Sequence, residues 1–193
     1  MNQFDCVVVG GGMVGAAAAL SLAELGLRIA VVERTPPESF VEDSTFDLRV
    51  SAVSLGSQFL LEQLDVWSSI KKKRAVPYRR LGVWEEEVSY AEFNADEIQQ
   101  PYLGHIVENR VIQLSLWEKL QQHPRVCLKC PQEVTQITQH KEQVQVVLSD
   151  EEISTRILLA ADGARSKIRS MAGIGVTGWQ YGQSAMLIHV ETE

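Results

Sequence analysis

An α/β fold built on a parallel sheet is predicted by three observations near the N-terminus. An apolar run, Phe4-Asp5-Cys6-Val7-Val8-Val9, ends in Gly10-Gly11-Gly12, with a further glycine at Gly15. An alanine-rich stretch follows. A second apolar run then closes on a carboxylate, Glu33. Together these have the form of a strand, a tight turn, a helix and a second strand.

Taken in order, Phe4 to Val9 is a β-branched run without polar alternation, as expected where both faces of a parallel sheet are covered. Met13 to Leu25 is helical, and Gly26 stands where a left-handed cap belongs. Leu27 to Glu33 is the second strand, and Thr35-Pro36-Pro37 opens a polar loop to about Phe46. Leu48 to Ala52 leads into a helix over Leu55 to Leu64, with an expected apolar face of Leu55, Phe59, Leu60 and Leu64, and a short helix carries on to Arg74. From Arg80 the period changes to that of strands, Leu81 to Glu87 and Ser89 to Phe93, which suit a hairpin about Val88. This shift marks the start of a second sheet.

Residues 94–103 read as loop. Gly104 to Asn109 turns the chain back into a helix over Arg110 to Gln122, its apolar face formed by Val111, Leu114, Leu116, Trp117 and Leu120. Val126 to Cys130, Val134 to Gln139 and Val144 to Leu148 alternate in polarity and are expected to form a three-stranded antiparallel flap. Ile153 to Ala161 is a further strand, followed by Asp162-Gly163 and a short helix over Ser166 to Ala172. A glycine-rich connection leads to a last strand, Ala185 to Val190.

At 193 residues the chain holds one full core, or one domain and part of another. No stretch approaches the roughly 20 continuous apolar residues of a membrane span. The first strand begins within four residues, without a basic leader, which points to the cytoplasm. A net charge of −7 argues against nucleic acid as a partner. The basic run Lys71-Lys72-Lys73-Arg74 reads as a solvated helix end rather than a membrane contact. Cys127 and Cys130 make a C-x-x-C, but in a strand-like segment residues three apart point to opposite faces, so neither a redox pair nor a zinc site is expected.

Gly10, Gly12 and Gly15 match G-x-G-x-x-G in register with the strand before and the helix after. Gly10 makes the tight turn, Gly12 admits a pyrophosphate close to the backbone, and Gly15 lets helix and strand pack closely. The helix N-terminus offers N–H groups and partial positive charge to that pyrophosphate. Glu33, ending the second strand, is placed to accept hydrogen bonds from an adenosine ribose and disfavours one carrying a 2′-phosphate. The motif thus predicts a Rossmann-like dinucleotide site and does not separate NAD from FAD.

Leu158-Leu159-Ala160-Ala161-Asp162-Gly163-Ala164-Arg165-Ser166-Lys167-Ile168-Arg169 supplies a second signature: an apolar strand, then Asp-Gly, a Ser and an Arg. On these residues the chain resembles the flavoprotein aromatic hydroxylases of the p-hydroxybenzoate hydroxylase type. Leu48 to Ala52, Leu64 to Trp67, Gly104 to Asn109, Met171 to Val176, Pro77 to Leu81 and Trp179 to Ser184 are similar to the ubiquinone-biosynthesis branch of that family. The resemblance runs from Phe4 to the final residue.

It implies a GR2-type flavoprotein with FAD held by the first motif, and NAD(P)H as co-substrate reaching the flavin near Asp162-Gly163. It places Arg49 over the cofactor's phosphates or ribose, with a structural salt bridge as the rival role. The candidate cofactor-binding residues are Gly10, Gly12, Met13, Val14, Gly15, Glu33, Arg34, Arg49, Asn109, Asp162 and Gly163; no residue is assigned to acid, base, nucleophilic or metal chemistry. From the residues alone, Asp162 at a strand end before a helix reads as a helix cap, and without the first motif that reading is preferred. His105 reads as a packed or surface histidine. Residues 1–75 and 104–178 are expected to form the FAD-binding domain, and 76–103 with 179–193 an incomplete sheet of a substrate domain.

The resemblance further implies hydroxylation of the ring of a polyprenylated benzoquinol or phenol with O2, and contacts with a membrane surface and a ubiquinone-biosynthesis complex. Two departures stand out. Many relatives have Arg where this chain has Asn109, and the family's third signature, a Gly-Asp-Ala stretch, would lie beyond residue 193. The chain therefore reads as the first half of an enzyme, inactive by itself. Two other readings remain: a flavin or NAD dehydrogenase that only moves hydride, and a folded module without cofactor whose open sheet edges self-associate.

Overall fold

The computed structural model describes residues 3–85, 89–188 and 190. In chain order the elements are β1 (Gln3–Val9), α1 (Met13–Glu24), β2 (Ile29–Val32), β3 (Val50–Ser54), α2 (Leu55–Gln63), α3 (Trp67–Lys73), β4 (Val76–Tyr78), β5 (Arg80–Glu85) and β6 (Ser89–Asn94). A 3-10 turn over Ala95–Ile98 is followed by β7 (Gly104–Glu108), α4 (Asn109–Gln122), β8 (Val126–Lys129), β9 (Gln136–Gln139), β10 (Val144–Val147), β11 (Glu152–Ala160) and α5 (Lys167–Met171). They divide into two compact units, Met1–Glu38 with Leu116–Glu193, and Ser39–Ser115.

The first unit is built on a six-stranded sheet in the order β8-β2-β1-β11-β10-β9. The pairs β8–β2, β2–β1 and β1–β11 are parallel, and β11–β10 and β10–β9 antiparallel. Helix α1 packs on β1, β2 and β8 and buries Leu20 together with Ala16, Ala19 and Ala23, and the small alanine side chains allow a close approach to the sheet. Val7 and Val9 of β1 join Ala30 and Val32 of β2, Val146 and Ile168 in a core cluster. Full burial of β2 explains its unbroken apolar run.

The parallel register positions the site. Val9 lies opposite Val32 on one side and Ala160 on the other. Gly10, Glu33 and Ala161, each the next residue along, therefore leave the sheet together at its C-terminal edge, where ligands bind in open α/β sheets.

The expected flap is corrected in its membership. Val126–Lys129 is an edge strand parallel to β2, and the antiparallel strands are β9, β10 and β11. Alternating polarity fixes which faces are wet but not which neighbour a strand pairs with, and an edge strand carries the same alternation as a flap. The expected last strand is also absent: residues 185–188 and 190 are not strand, with Met186 and Leu187 largely exposed, while His189 lies outside the described residues. A β-propensity run forms a strand only where a partner edge takes its hydrogen bonds.

In the second unit β3, β7 and β4 form an antiparallel sheet in the order β3-β7-β4. Gly104 to Glu108 is thus a strand rather than a simple turn, and β3 ends at Ser54, whose hydroxyl caps α2 by accepting from the Ser57 N–H. Helix α2 buries Leu61 and Leu64, not the expected Phe59 and Leu60, which are exposed. Within a run of adjacent apolar residues, two faces satisfy the helical period. Strands β5 and β6 pair as a hairpin with Glu85 opposite Ser89, and the turn expected at Val88 lies outside the described residues.

The basic run is solvated at Lys71 and Lys72 but not at Arg74. The Arg74 guanidinium donates to the buried Glu108 carboxylate at 3.2 Å, and to the carbonyls of Glu42 and Ser44. It also stacks over Phe46 and Phe40, 4.6 and 5.2 Å from the ring centroids. Glu108 accepts further from Arg110 and from the Asp47 N–H. The sequence could not show this because the partner lies 34 residues away.

His105 is buried and packed edge-on against Trp67 and Tyr102. Burial, with the Lys71 charge adding to it, holds the imidazole below its ordinary value.

Candidate cofactor site

The site lies at the C-terminal edge of the parallel strands in the first unit. A cleft of about 350 Å³ opens there, lined by Val9, Gly10, Val32, Glu33, Arg34, Gln132, Glu133, Val134, Asp162, Arg165, Lys167 and Ile168. Four of the candidates read from the sequence, Gly10, Glu33, Arg34 and Asp162, line this one cleft. Gly12, Met13, Val14 and Gly15 form the turn and the head of α1, with Val14 strongly exposed and Gly15 buried.

Each glycine of the motif has a physical cause. Gly10 has φ of +106°, and a Cβ there would lie 2.3 Å from the Ala161 carbonyl oxygen, so it meets both a backbone and a steric demand. A Cβ at Gly15 would come within 1.9 Å of the Gly10 carbonyl oxygen. At Gly12 a Cβ would meet nothing within 4 Å. The protein itself leaves that space open, beside the unsatisfied N–H groups of the first turn of α1.

Glu33 holds this loop. Its carboxylate accepts from the Gly11 N–H at 2.7 Å and from the Thr35 N–H at 3.1 Å. A carboxylate has about four acceptor positions, so it retains capacity for ribose hydroxyls.

Asp162 turns toward α5. It accepts from the Ser166 hydroxyl at 2.5 Å, the Lys167 N–H at 2.7 Å and the Ile168 N–H at 3.2 Å, while Ser166 caps the helix through the Arg169 N–H. Burial pushes the Asp162 carboxyl up, but these hydroxyl and backbone hydrogen bonds outweigh it and hold the group below its ordinary value. Gly163 follows with φ of +86°. Across the cleft, hydrogen bonding and ion pairing with Lys167 lower the Glu133 carboxyl.

Arg49 and Asn109 belong to the second unit, where they are neighbours. The Asn109 N–H donates to the Arg49 carbonyl at 2.9 Å, and the Asn109 side chain accepts from the Ser51 hydroxyl at 2.6 Å. The exposed Arg49 side chain has no ion pair among the described residues.

Several site residues escaped the sequence. Gln132, Glu133 and Val134 reach the cleft because β8 is parallel to β2 and the Gln132 N–H bonds the Glu33 carbonyl. Trp117 was legible only as an apolar position on α4, yet its indole N–H donates to the Gly11 carbonyl at 2.6 Å. Among the described residues, no group of three His, Cys, Asp or Glu is arranged to hold a metal ion, and no helix is long and apolar enough to cross a membrane.

A parallel sheet, a glycine turn opening a helix, a carboxylate after the second strand and a cleft at their shared edge define a dinucleotide-binding α/β domain. The profile of a family described as FAD binding domain matches residues 3–193. The chain belongs to this FAD binding domain family, and FAD is accordingly its cofactor. It is 45% identical over 190 residues to the 3-demethoxyubiquinol 3-hydroxylase of Escherichia coli (strain K12), covering 98% of this chain and 49% of that protein. It is 32% identical over 191 residues to the ubiquinone hydroxylase UbiL of Rhodospirillum rubrum, covering 98% and 44%. The p-nitrophenol 4-monooxygenase PnpA of Pseudomonas putida DLL-E4 has a similar structure, with a TM-score of 0.72 at 25% identity over 90% of this chain and 44% of that one. The chain spans about half the length of the curated relatives it matches.

Proposed function

We propose that this chain is the FAD-binding part of a monooxygenase that hydroxylates the ring of a polyprenylated benzoquinol or phenol in ubiquinone biosynthesis, using NAD(P)H and O2. The observation that carries the reading is the open space at Gly12, beside free helix N–H groups and a Glu33 carboxylate with acceptor capacity left. These groups fit the pyrophosphate and adenosine ribose of FAD. The similarity to ubiquinone-pathway hydroxylases supports the substrate class.

In this reading Gly10, Gly12, Met13, Val14 and Gly15 hold the pyrophosphate, and Glu33 with Arg34 holds the adenosine. Asp162-Gly163 keeps the α5 turn against the cofactor. Arg49 and Asn109 are the remaining candidate cofactor-binding residues of this reading, tested by their own substitution. Bound FAD supplies the redox chemistry and the activation of O2; the residues of this chain bind and orient it. Residues 1–75 and 104–178 belong to the FAD-binding domain of the whole protein, and 76–103 and 179–193 to its substrate domain.

A polyprenyl substrate partitions into lipid, which supports action in the cytoplasm at the inner membrane surface and within a ubiquinone-biosynthesis complex. The exposed Trp84, Tyr90 and Phe93 of the β5–β6 hairpin support self-association of the 193-residue chain when isolated.

The absorption spectrum of the purified chain during titration with FAD tests the reading. A saturable change in the flavin bands is expected. A chain that stays colourless after removal of free flavin, and shows no saturation, would overturn it.

A further inference from the structure

We propose that Trp117 is a positioning residue for the dinucleotide loop, fixing the peptide plane that carries the Gly12 N–H. The inference rests on the reading that this loop binds FAD.

Two successive peptide planes of the loop are each pinned by a side chain. The Gly10–Gly11 plane is held through the Gly11 N–H by Glu33, at 2.7 Å. The Gly11–Gly12 plane is held through the Gly11 carbonyl by the indole N–H of Trp117, at 2.6 Å. A trans peptide is planar, with its carbonyl and N–H pointing opposite ways. Fixing the Gly11 carbonyl toward the indole therefore fixes the Gly12 N–H away from it. Gly12 is the N-cap of α1, where N–H groups face an anionic ligand.

Packing supports the same arrangement. Trp117 is 4% exposed, so its N–H needs a partner inside the protein, and the Gly11 carbonyl provides one. A Cβ at Gly11 would lie 2.8 Å from the Trp117 ring atom Cζ2, and 3.1 and 3.2 Å from Cβ and Cγ of Glu33. The middle residue of the glycine triplet, which the dinucleotide motif leaves unspecified, is thus glycine because the indole and the Glu33 stem close on it from two sides. Without the indole N–H the plane is free to rotate, and the Gly12 N–H loses its fixed aim.

The test uses Trp117→Phe in the 193-residue chain, which keeps an aromatic ring and removes the N–H. The expected results are faster amide hydrogen exchange at Gly12 and Met13 without FAD, and an FAD dissociation constant raised about three- to tenfold. Should this variant fail to fold, Trp117 is replaced site-specifically by benzothienylalanine, which keeps the bicyclic ring and exchanges the N–H for sulfur, with the same expectation. Wild-type exchange together with wild-type FAD affinity in the folded variant overturns the proposal. If even the unsubstituted chain binds no FAD, the cofactor reading fails, whereas the exchange measurement still decides whether Trp117 sets the loop.

Discussion

The Glu33 carboxylate, just past β2, and the Gly11 amide, in the turn before α1, meet at 2.7 Å, and a second oxygen of the same carboxylate takes the Thr35 N–H. The acid that the dinucleotide motif reserves for a ribose therefore also ties the second strand to the glycine turn. Glu33→Ala removes both interactions. We expect FAD affinity to fall about tenfold or more in flavin fluorescence titrations, since a charge-assisted hydrogen bond is worth about 1.5–3 kcal/mol. Glu33→Gln, which keeps an acceptor, should fall between the two. Unchanged affinity in Glu33→Ala would remove Glu33 from the site.

Gly15 admits no side chain. Its Cβ would stand 1.9 Å from the Gly10 carbonyl oxygen, a backbone atom that cannot swing aside. Gly15→Val should lower stability by about 1–3 kcal/mol or more in denaturant unfolding, with weaker FAD binding. A variant with wild-type midpoint and affinity would contradict the close helix–strand approach.

Asp162 caps the start of α5. Asp162→Ala should cost about 0.5–2 kcal/mol at neutral pH, in the range for loss of a helix cap. Because the folded carboxyl titrates below 3.8, its contribution is complete above that value and is lost as pH falls through the depressed folded one. The stability gap between wild type and Asp162→Ala should therefore narrow in acid, below about pH 3.8. A gap that stays constant down to pH 2.5, an acid limit set about one unit below that value, would show that the carboxylate charge does not matter there.

His105 predicts the pH dependence of the second unit. Its imidazole is held below 6.5 in the fold by burial and the Lys71 charge. Below 6.5 the unfolded chain binds the proton first, so stability is full above 6.5 and falls as pH drops toward the folded value. His105→Phe keeps ring packing against Trp67 and Tyr102 and removes the titration. Thermal unfolding between pH 7.5 and about pH 5.5 should show a smaller loss in this variant than in wild type; equal losses would assign the effect elsewhere.

Arg74 bridges the buried Glu108 to the carbonyls of residues 42 and 44. Arg74→Ala leaves that carboxylate with Arg110 and the Asp47 N–H, and should destabilise by about 1–3 kcal/mol. Arg74→Lys should recover only part, because an ammonium lacks the planar fork that reaches a carboxylate and two carbonyls together. Stability within error of wild type in Arg74→Ala would mean that Arg110 and the Asp47 N–H together satisfy Glu108.

The sequence by itself determined the local framework of the candidate site. The unbroken apolar runs of β1 and β2, the glycine turn, the alanine face of α1 and Glu33 are local patterns, each with a mechanical cause within a few residues. The helix after Asp162-Gly163 was legible for the same reason, since a cap and its helix are contiguous. Only the tertiary structure decided what depends on a partner distant in sequence. Alternation in Val126 to Lys129 could not tell an edge strand parallel to β2 from a flap, because strand pairing is a non-local choice. The run at 185–190 could not say whether an edge would receive it. The glycine at position 11 is fixed by Trp117, 106 residues on, through a hydrogen bond and a steric wall that leave no local trace in the chain. Side-chain periodicity records which face is buried; it does not record what that face meets.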